Sequence, residues 1–302
     1  MESSGTTSGI EKVTVGDVEL AYETFGDRSA TPVLLISGLG SQMISYADEF
    51  CADLAARGTF VVRFDNRDVG LSTHLHEAGP PDLGAIRRGD RSGVAYDLAD
   101  MAADAAGLIT ALGLESVHVV GVSMGGMIAQ RVAFTYPERV RSLTSIMSTT
   151  GDRSVGGASE AATAVLYAPP ATDRETAIAR QLETSRVIGS PGFPLDEEAV
   201  SARAALAFDR AHDPAGVARQ MAAIFSSPDR TPDLARVAVP TLVIHGSDDA
   251  LVNVSGGRAT AAAVPGAELV VLEGMGHDLP RPLWPEIIER IAKLVASVEG
   301  LA

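Results

Sequence analysis

The chain has 302 residues, 46% of them hydrophobic and 21% charged, with a formal net charge of −15. That length and apolar content can bury a full core, as one large domain or as a domain carrying an inserted lobe. The acidic balance argues against nucleic acid and anionic membrane surfaces as partners, and no apolar run approaches the ~20 residues that span a bilayer.

Residues 1–10 are polar, with no basic start and no apolar segment, and are expected to form a flexible tail rather than a signal peptide. Lys12 to Val15 and Val18 to Phe25 read as strands joined at Gly16-Asp17, a hairpin signal. Pro32 to Ser37 is an apolar run ending in Gly38-Leu39-Gly40, and helical spacing follows from Met43 to Arg57. The lone cysteine, Cys51, falls in that helical pattern and reads as a small core residue; without a second cysteine no internal disulfide forms, and a cytoplasmic location is expected. Thr59 to Asp65 is the next strand, followed by the loop Asn66 to Ser72. Residues 73–93 show no period and are expected to form a long loop, and Val94 to Leu112 a helix stopped at Gly113. Val117 to Val122 reads as a buried strand, Met124 to Phe134 as a helix and Val140 to Met147 as a further strand.

The pattern then changes. From Thr149 to about Asp233 there is no strand signal, only helical stretches near 159–167, 172–188, 196–211 and 214–225, broken by prolines and glycines. Residues 150–233 are therefore expected to form a helical lobe inserted into an α/β core made of 11–149 and 234–302. Alternation resumes with the strand Pro240 to Gly246, a helix near Val254–Val264, the strand Glu268–Glu273 and a last helix Pro285–Val298. Continuous apolar strands alternating with helices indicate a mostly parallel sheet covered on both faces.

Chemistry is expected at Gly121-Val122-Ser123-Met124-Gly125, between a strand and a helix. The flanking glycines permit a turn so tight that neighbouring backbones nearly touch, and the serine hydroxyl is then held out above a helix N-terminus, where developing negative charge is favoured. Such a serine needs a base. Of the six histidines, His277 follows a strand in a glycine-bordered loop before the last helix, where sites form in open α/β sheets. His118 lies in an apolar strand and reads as structural, His245 as shaping a turn, His74 and His76 as loop residues, and His212 as part of the lobe. An acid must orient the base, and Ser247-Asp248-Asp249 offers two at a strand end; Asp249 is preferred and Asp248 is its rival. The N–H of Met124, the residue after the nucleophile, is one donor for an oxyanion. Asp65, Arg67 and Asp68 read as a structural ion-pair loop. No metal site or cofactor is expected, since the histidines lack paired ligand spacing and no phosphate-binding glycine pattern is completed.

These motifs together resemble the α/β-hydrolase superfamily. The matching stretches are SGLG at 37–40, FDNRDVGLS at 64–72, GVSMGG at 121–126, IHGSDDALV at 244–252 and GMGH at 274–277. DVEL at 17–20 and GMGHDLP at 274–280 are similar to bacterial methylesterases of the anthracycline type. The usual His-Gly of the first loop is here Ser37-Gly38. The resemblance implies an eight-stranded, mostly parallel sheet with an inserted helical cap, and a serine hydrolase of carboxylic esters using Ser123, His277 and Asp249. It also implies a second oxyanion donor at the N–H of Leu39, and a small-molecule substrate contacted by the cap. Apolar cap residues such as Phe193 and Leu206 suggest a lipophilic substrate, although most are expected to be lobe core. The same triad also fits a C–C bond hydrolase, a lactonase or a cofactor-free perhydrolase, and some members of the superfamily are non-catalytic ligand receptors.

Overall fold

In the computed structural model, which describes residues 7–301, eight strands pair into one sheet. They are β1 (Glu11–Val15), β2 (Val18–Phe25), β3 (Thr31–Ile36), β4 (Thr59–Phe64), β5 (Val117–Val122), β6 (Val140–Ile146), β7 (Thr241–Gly246) and β8 (Glu268–Leu272), in the spatial order β1-β2-β4-β3-β5-β6-β7-β8. β2 runs antiparallel to β1 and β4, and every other pairing is parallel. Val15 pairs with Val18 across Gly16-Asp17, with Gly16 at φ 58° as the expected hairpin requires.

Among the described residues eleven α-helices accompany the sheet: α1 (Asp48–Ala55), α2 (Leu83–Arg87), α3 (Leu98–Ala111), α4 (Met124–Thr135), α5 (Glu160–Leu166), α6 (Arg174–Ile188), α7 (Glu197–Arg210), α8 (Pro214–Ser226), α9 (Thr231–Leu234), α10 (Ser255–Ala263) and α11 (Trp284–Glu299). The central strands β3 to β7 are buried almost throughout because both of their faces are covered, and most of their residues are apolar. Alternate residues of β3 enter opposite layers: Leu34 and Ile36 join Leu108, Ile128 and Val132 of α3 and α4, while Val33 and Leu35 join Phe50, Leu54, Ile287 and Ile291 of α1 and α11. Cys51 lies in the second layer, and burial pushes its thiol up to about 12, so it is inert packing. His118 is also structural, set between Ser142 Oγ at 2.7 Å and Glu299 at 3.2 Å.

Two expectations need correction. The first six residues of the expected tail lie outside the described residues, but Ser8 runs along β2, its N–H donating to the Thr24 carbonyl at 3.1 Å. The stretch 73–93 is not structureless: Asp82 caps α2 by accepting from the Ala85 N–H at 2.9 Å, and Ile86 is buried. A five-residue helix is too short to display a period. No helix among the described residues is long and apolar enough to cross a membrane.

Between β6 and β7 the chain makes helices α5 to α9 and no strand. Helices α6 and α7 sit outermost, and α6 has no buried residue. Helix α8 is different: Ala223 belongs to the layer under α3 and α4, and Arg219 and Gln220 are fully buried. It is thus built into the core and not merely laid over it.

Candidate active site

Ser123 lies where β5 meets α4, at φ 56° and ψ −119°, a conformation that costs a non-glycine residue roughly 1–3 kcal/mol. The neighbours enforce it. A Cβ on Gly121 would lie 2.1 Å from the Gly125 oxygen, and one on Gly125 would lie 2.0 Å from the Ile36 oxygen, so neither position admits a side chain. The Ser123 N–H donates to the Ile146 carbonyl at 2.9 Å, and its carbonyl accepts from Ser148 Oγ at 2.8 Å and from the Met127 N–H at 3.2 Å. The backbone is therefore fixed on both sides, and the hydroxyl is left free to react.

That hydroxyl is 2.9 Å from His277 Nε2, and His277 Nδ1 is 2.7 Å from Asp249 Oδ2. A carboxylate can only accept, so Nδ1 carries the proton and the Nε2 lone pair faces the serine hydroxyl. Asp249 is buried beneath the ring. Its other oxygen accepts from the N–H groups of Leu251 at 2.9 Å and Val252 at 2.8 Å. Burial alone would raise its pKa. Hydrogen bonds from His245, His277 and the Val252 N–H, with the charge of His277, outweigh burial and hold it down at about 2. The rival acid, Asp248, is hydrogen-bonded instead to its neighbour Ser247 at 2.5 Å.

The loop after β3 passes directly beside Ser123: a Cβ on Gly38 would sit 3.3 Å from the Ser123 Cβ. Leu39 follows in that loop, and Met124 is the first residue of α4. The loop is held from below. Gln220 of α8 accepts the Gly40 N–H at 2.8 Å and donates to the Arg67 carbonyl at 2.8 Å. Asn66 donates to the Ser37 carbonyl at 3.1 Å, and Arg210 joins Gln42 at 2.8 Å to Asp65 at 2.6 Å.

Each member of the charged loop has its own buried partner. Arg67 forks onto Asp104 with both contacts at 2.6 Å, Asp68 accepts from Arg219 at 2.7 and 2.8 Å and from the Tyr96 hydroxyl at 2.7 Å, and Asp65 pairs with Arg210. Paired in this way the three groups brace the loop and offer no free charge to a ligand.

A second clamp comes from the lobe. The segment 188–192 after α6 lies along the histidine loop. The His277 N–H donates to the Ile188 carbonyl at 2.7 Å, the Gly276 N–H to Ser190 Oγ at 2.9 Å and the Gly192 N–H to the Gly274 carbonyl at 2.9 Å. Ser190 Oγ in turn donates to Asp278. Burial raises the Asp278 pKa, and the Ser190 hydrogen bonds and the charges of His277 and Arg203 oppose that rise. Gln220 and Ser190 did not stand out in the sequence. The one signal for Gln220 was a polar pair, Arg219-Gln220, inside the otherwise apolar stretch 217–225.

A cavity of about 1010 Å³ opens between the lobe and the β3–α1 region. Phe193, Leu206, Arg203, Trp284, Asp278 and Leu279 are among its lining residues, whereas Ser123, Leu39 and Met124 are not. It therefore adjoins the histidine loop without reaching Ser123.

Residues 31–280 match the family model described as alpha/beta hydrolase fold. The chain is 30% identical over 292 residues to rhodomycin D methylesterase DauP of Streptomyces sp. strain C5, covering 89% of this chain and 92% of that one. It is likewise 30% identical over 291 residues to rhodomycin D methylesterase DnrP of Streptomyces peucetius, with coverage of 89% and 92%. Among solved structures, a thermophilic esterase from Thermogutta terrifontis superimposes with a TM-score of 0.67 at 26% identity, covering 96% of this chain and 98% of that one.

Proposed function

The chain belongs to the α/β-hydrolase-fold family, and from that premise we propose that it is a serine hydrolase of carboxylic esters, acting on the methyl or other small alkyl ester of a lipophilic acid. The observation that carries this reading is the unbroken chain of hydrogen bonds from Ser123 Oγ through His277 to the buried Asp249. Serine attacks the ester carbonyl as His277 Nε2 takes its proton. Asp249 holds the ring in the correct tautomer and stabilises the imidazolium that forms. The oxyanion is received by the N–H groups of Leu39 and Met124, the second of which also brings the positive end of α4. His277 returns the proton to the leaving alkoxide, and water deacylates Ser123 by the same path in reverse.

Support for a methyl ester comes from the two Streptomyces relatives, whose names describe methylesterases. The lipophilic acid is our own extension of that reading: the cavity beside the histidine loop offers Phe193, Leu206 and Trp284 to the far end of a substrate, not to the group at Ser123. Residues 150–233 act in this reading as a cap over the substrate, and the enzyme works in the cytoplasm without a cofactor.

A fluorophosphonate should label the protein stoichiometrically, and Ser123→Ala should abolish both labelling and turnover of aryl and methyl esters. Labelling that persists in Ser123→Ala removes the assigned nucleophile. Turnover of vinylogous diketones with none of esters points instead to carbon–carbon bond hydrolysis.

A further inference from the structure

His74 and His76 flank Leu75 in the loop that follows the ion-pair segment, and Asp213 caps α8. They are 139 positions apart for the pair His74 and Asp213, yet His74 Nδ1 lies 2.8 Å from Asp213 Oδ2 and His76 Nδ1 lies 3.5 Å from the same oxygen. The imidazoles stack, with centroids 5.3 Å apart and planes 14° from parallel. Candidate donor atoms of all three residues fall within 4.8 Å of one another.

The far side of His74 defines what the near side can be. Its Nε2 is 3.0 Å from the Gly70 carbonyl, an acceptor only, so Nε2 carries a proton. In the neutral ring the Nδ1 lone pair then points at a carboxylate oxygen, two acceptors face to face. Something positive must lie between them, either a second proton on His74 or a metal ion. A metal-binding histidine usually donates its other N–H to a carbonyl or carboxylate, the arrangement His74 has with Gly70. The local charge also leaves room for a cation. Arg219, 3.2 Å from Asp213 Oδ2, is matched by Asp68, so its one positive charge and the two carboxylates sum to a single negative charge.

We propose that His74, His76 and Asp213 bind a borderline divalent transition metal, Zn²⁺ in the first instance, which ties the 73–78 loop to the N-terminus of α8. Two imidazoles and one carboxylate are a donor set that zinc favours, leaving a fourth position for water. Tetrahedral zinc with bonds of about 2.0–2.1 Å holds its donors roughly 3.3–3.4 Å apart. His76 Nδ1, 3.5 Å from Asp213 Oδ2 on a side chain 71% exposed, is already near that spacing, and His74 Nδ1, now 2.8 Å from the same oxygen, has to draw back by about half an ångström to admit the ion. The expectation that no metal binds rested on spacing along the chain, which could not reveal a ligand supplied by α8.

The test uses the full-length protein, stripped of metal with a chelator and titrated calorimetrically with Zn²⁺ alone near neutral pH. One equivalent should bind, and Zn²⁺ should raise the thermal midpoint. His76→Ala removes an exposed side chain and should fold normally, but bind Zn²⁺ roughly tenfold or more weakly, with no thermal gain. Co²⁺ should give a visible ligand-field band in the parent that is lost in His76→Ala and displaced by Zn²⁺. His212→Ala, which changes another exposed histidine, should bind as the parent does. Absence of stoichiometric binding by the parent overturns the proposal and leaves a proton between His74 and Asp213. Equal affinity in the parent, His76→Ala and His74→Gln overturns it as well.

Discussion

Asp249 Oδ2 serves two imidazoles: His277 Nδ1 at 2.7 Å and His245 Nε2 at 3.4 Å. His245 lies on β7 with its Nε2 also 2.7 Å from the Val252 carbonyl, so that nitrogen carries the proton and is shared between two acceptors. Its Nδ1 is buried with no hydrogen-bond partner among the described residues, and a Cβ on Gly257 would lie 2.4 Å from it. His245 thus supports the acid from behind, while His277 meets it from the side of the nucleophile.

The two histidines should therefore differ sharply from each other in what they contribute. Asp249→Asn should leave the backbone in place and cut kcat by about 10⁴, because the amide no longer selects the tautomer with the proton on Nδ1. His245→Gln should cost no more than about tenfold in kcat, since the His277, Leu251 and Val252 contacts still hold the carboxylate. It should also change stability by less than about 1 kcal/mol, because the glutamine amide N–H can still donate to the Val252 carbonyl. Steady-state rates on an aryl ester and urea midpoints on the same preparations check both outcomes. A loss in His245→Gln as large as in Asp249→Asn would make His245 part of the reacting unit.

The Asp249 pKa also sets a pH dependence of stability. Its carboxyl titrates at about 2 in the fold against an ordinary value of 3.8. A depressed carboxyl stabilises the fold above its unfolded value and loses that contribution as pH falls through the folded one. The window is therefore about pH 4 down to about pH 2, and the contribution is on the order of 2 kcal/mol. Urea unfolding of the parent and of Asp249→Asn across this range should show the gap between them narrowing by that amount as the solution is acidified. A gap that stays constant would mean that Asp249 is not held below its ordinary value.

How far the sequence disclosed this arrangement depended on whether the signal was local. The elbow was legible because Gly121, Ser123 and Gly125 lie within five residues and each glycine answers a steric demand made by backbone a few residues away or on the adjacent strand. The central strands were legible because burial on both faces favours apolar runs, and β1 and β2 because Gly16-Asp17 marks the hairpin between them. The choice of Asp249 over Asp248 was only a preference, because both lie at a strand end and the deciding contact is to a loop 28 positions away. Gln220 was legible only as half of a polar pair in an apolar stretch, and Ser190 not at all. Their partners at Gly40, Arg67 and Gly276 are backbone groups, which leave no mark in the sequence, and the Asp278 side chain that Ser190 also meets lies 88 positions away. The short helix α2 was missed because one turn has no periodicity, and its cap, Asp82, looked like any loop acid.

Gln220 offers a test of how the loop after β3, the proposed oxyanion loop, is held. Its side chain is fully buried and satisfies the Gly40 N–H and the Arg67 carbonyl together. Gln220→Ala leaves both without partners, so unfolding free energy should fall by on the order of 2 kcal/mol or more. The loop beside Ser123 should shift by a fraction of an ångström, and kcat should fall roughly 10- to 100-fold. KM should change much less, because an oxyanion contact is made in the transition state and not in the bound ester. Leu39→Ala should be mild by comparison, since the donor there is a backbone N–H whose position the side chain does not set. Kinetics on a methyl ester with both variants check the contrast, and a larger loss in Leu39→Ala than in Gln220→Ala would overturn it.

The clamp at Ser190 gives the last prediction. Its hydroxyl accepts from the Gly276 N–H and donates to Asp278, so one side chain fixes the residues on either side of His277. Ser190→Ala removes both contacts but leaves the His277 N–H on the Ile188 carbonyl, so the protein should still fold, with a loss of about 1 kcal/mol. The ring should sample positions away from Ser123, lowering kcat about tenfold at nearly constant KM. Ser190→Thr retains the hydroxyl and should restore most of the rate, a rescue that a general loosening of the lobe would not give. Gly192→Ala disturbs the same clamp sterically, because its Cβ would lie 2.7 Å from the Gly274 Cα, and it should lower both kcat and the thermal midpoint. If Ser190→Ala keeps the parent kcat, the lobe covers the histidine loop without positioning it.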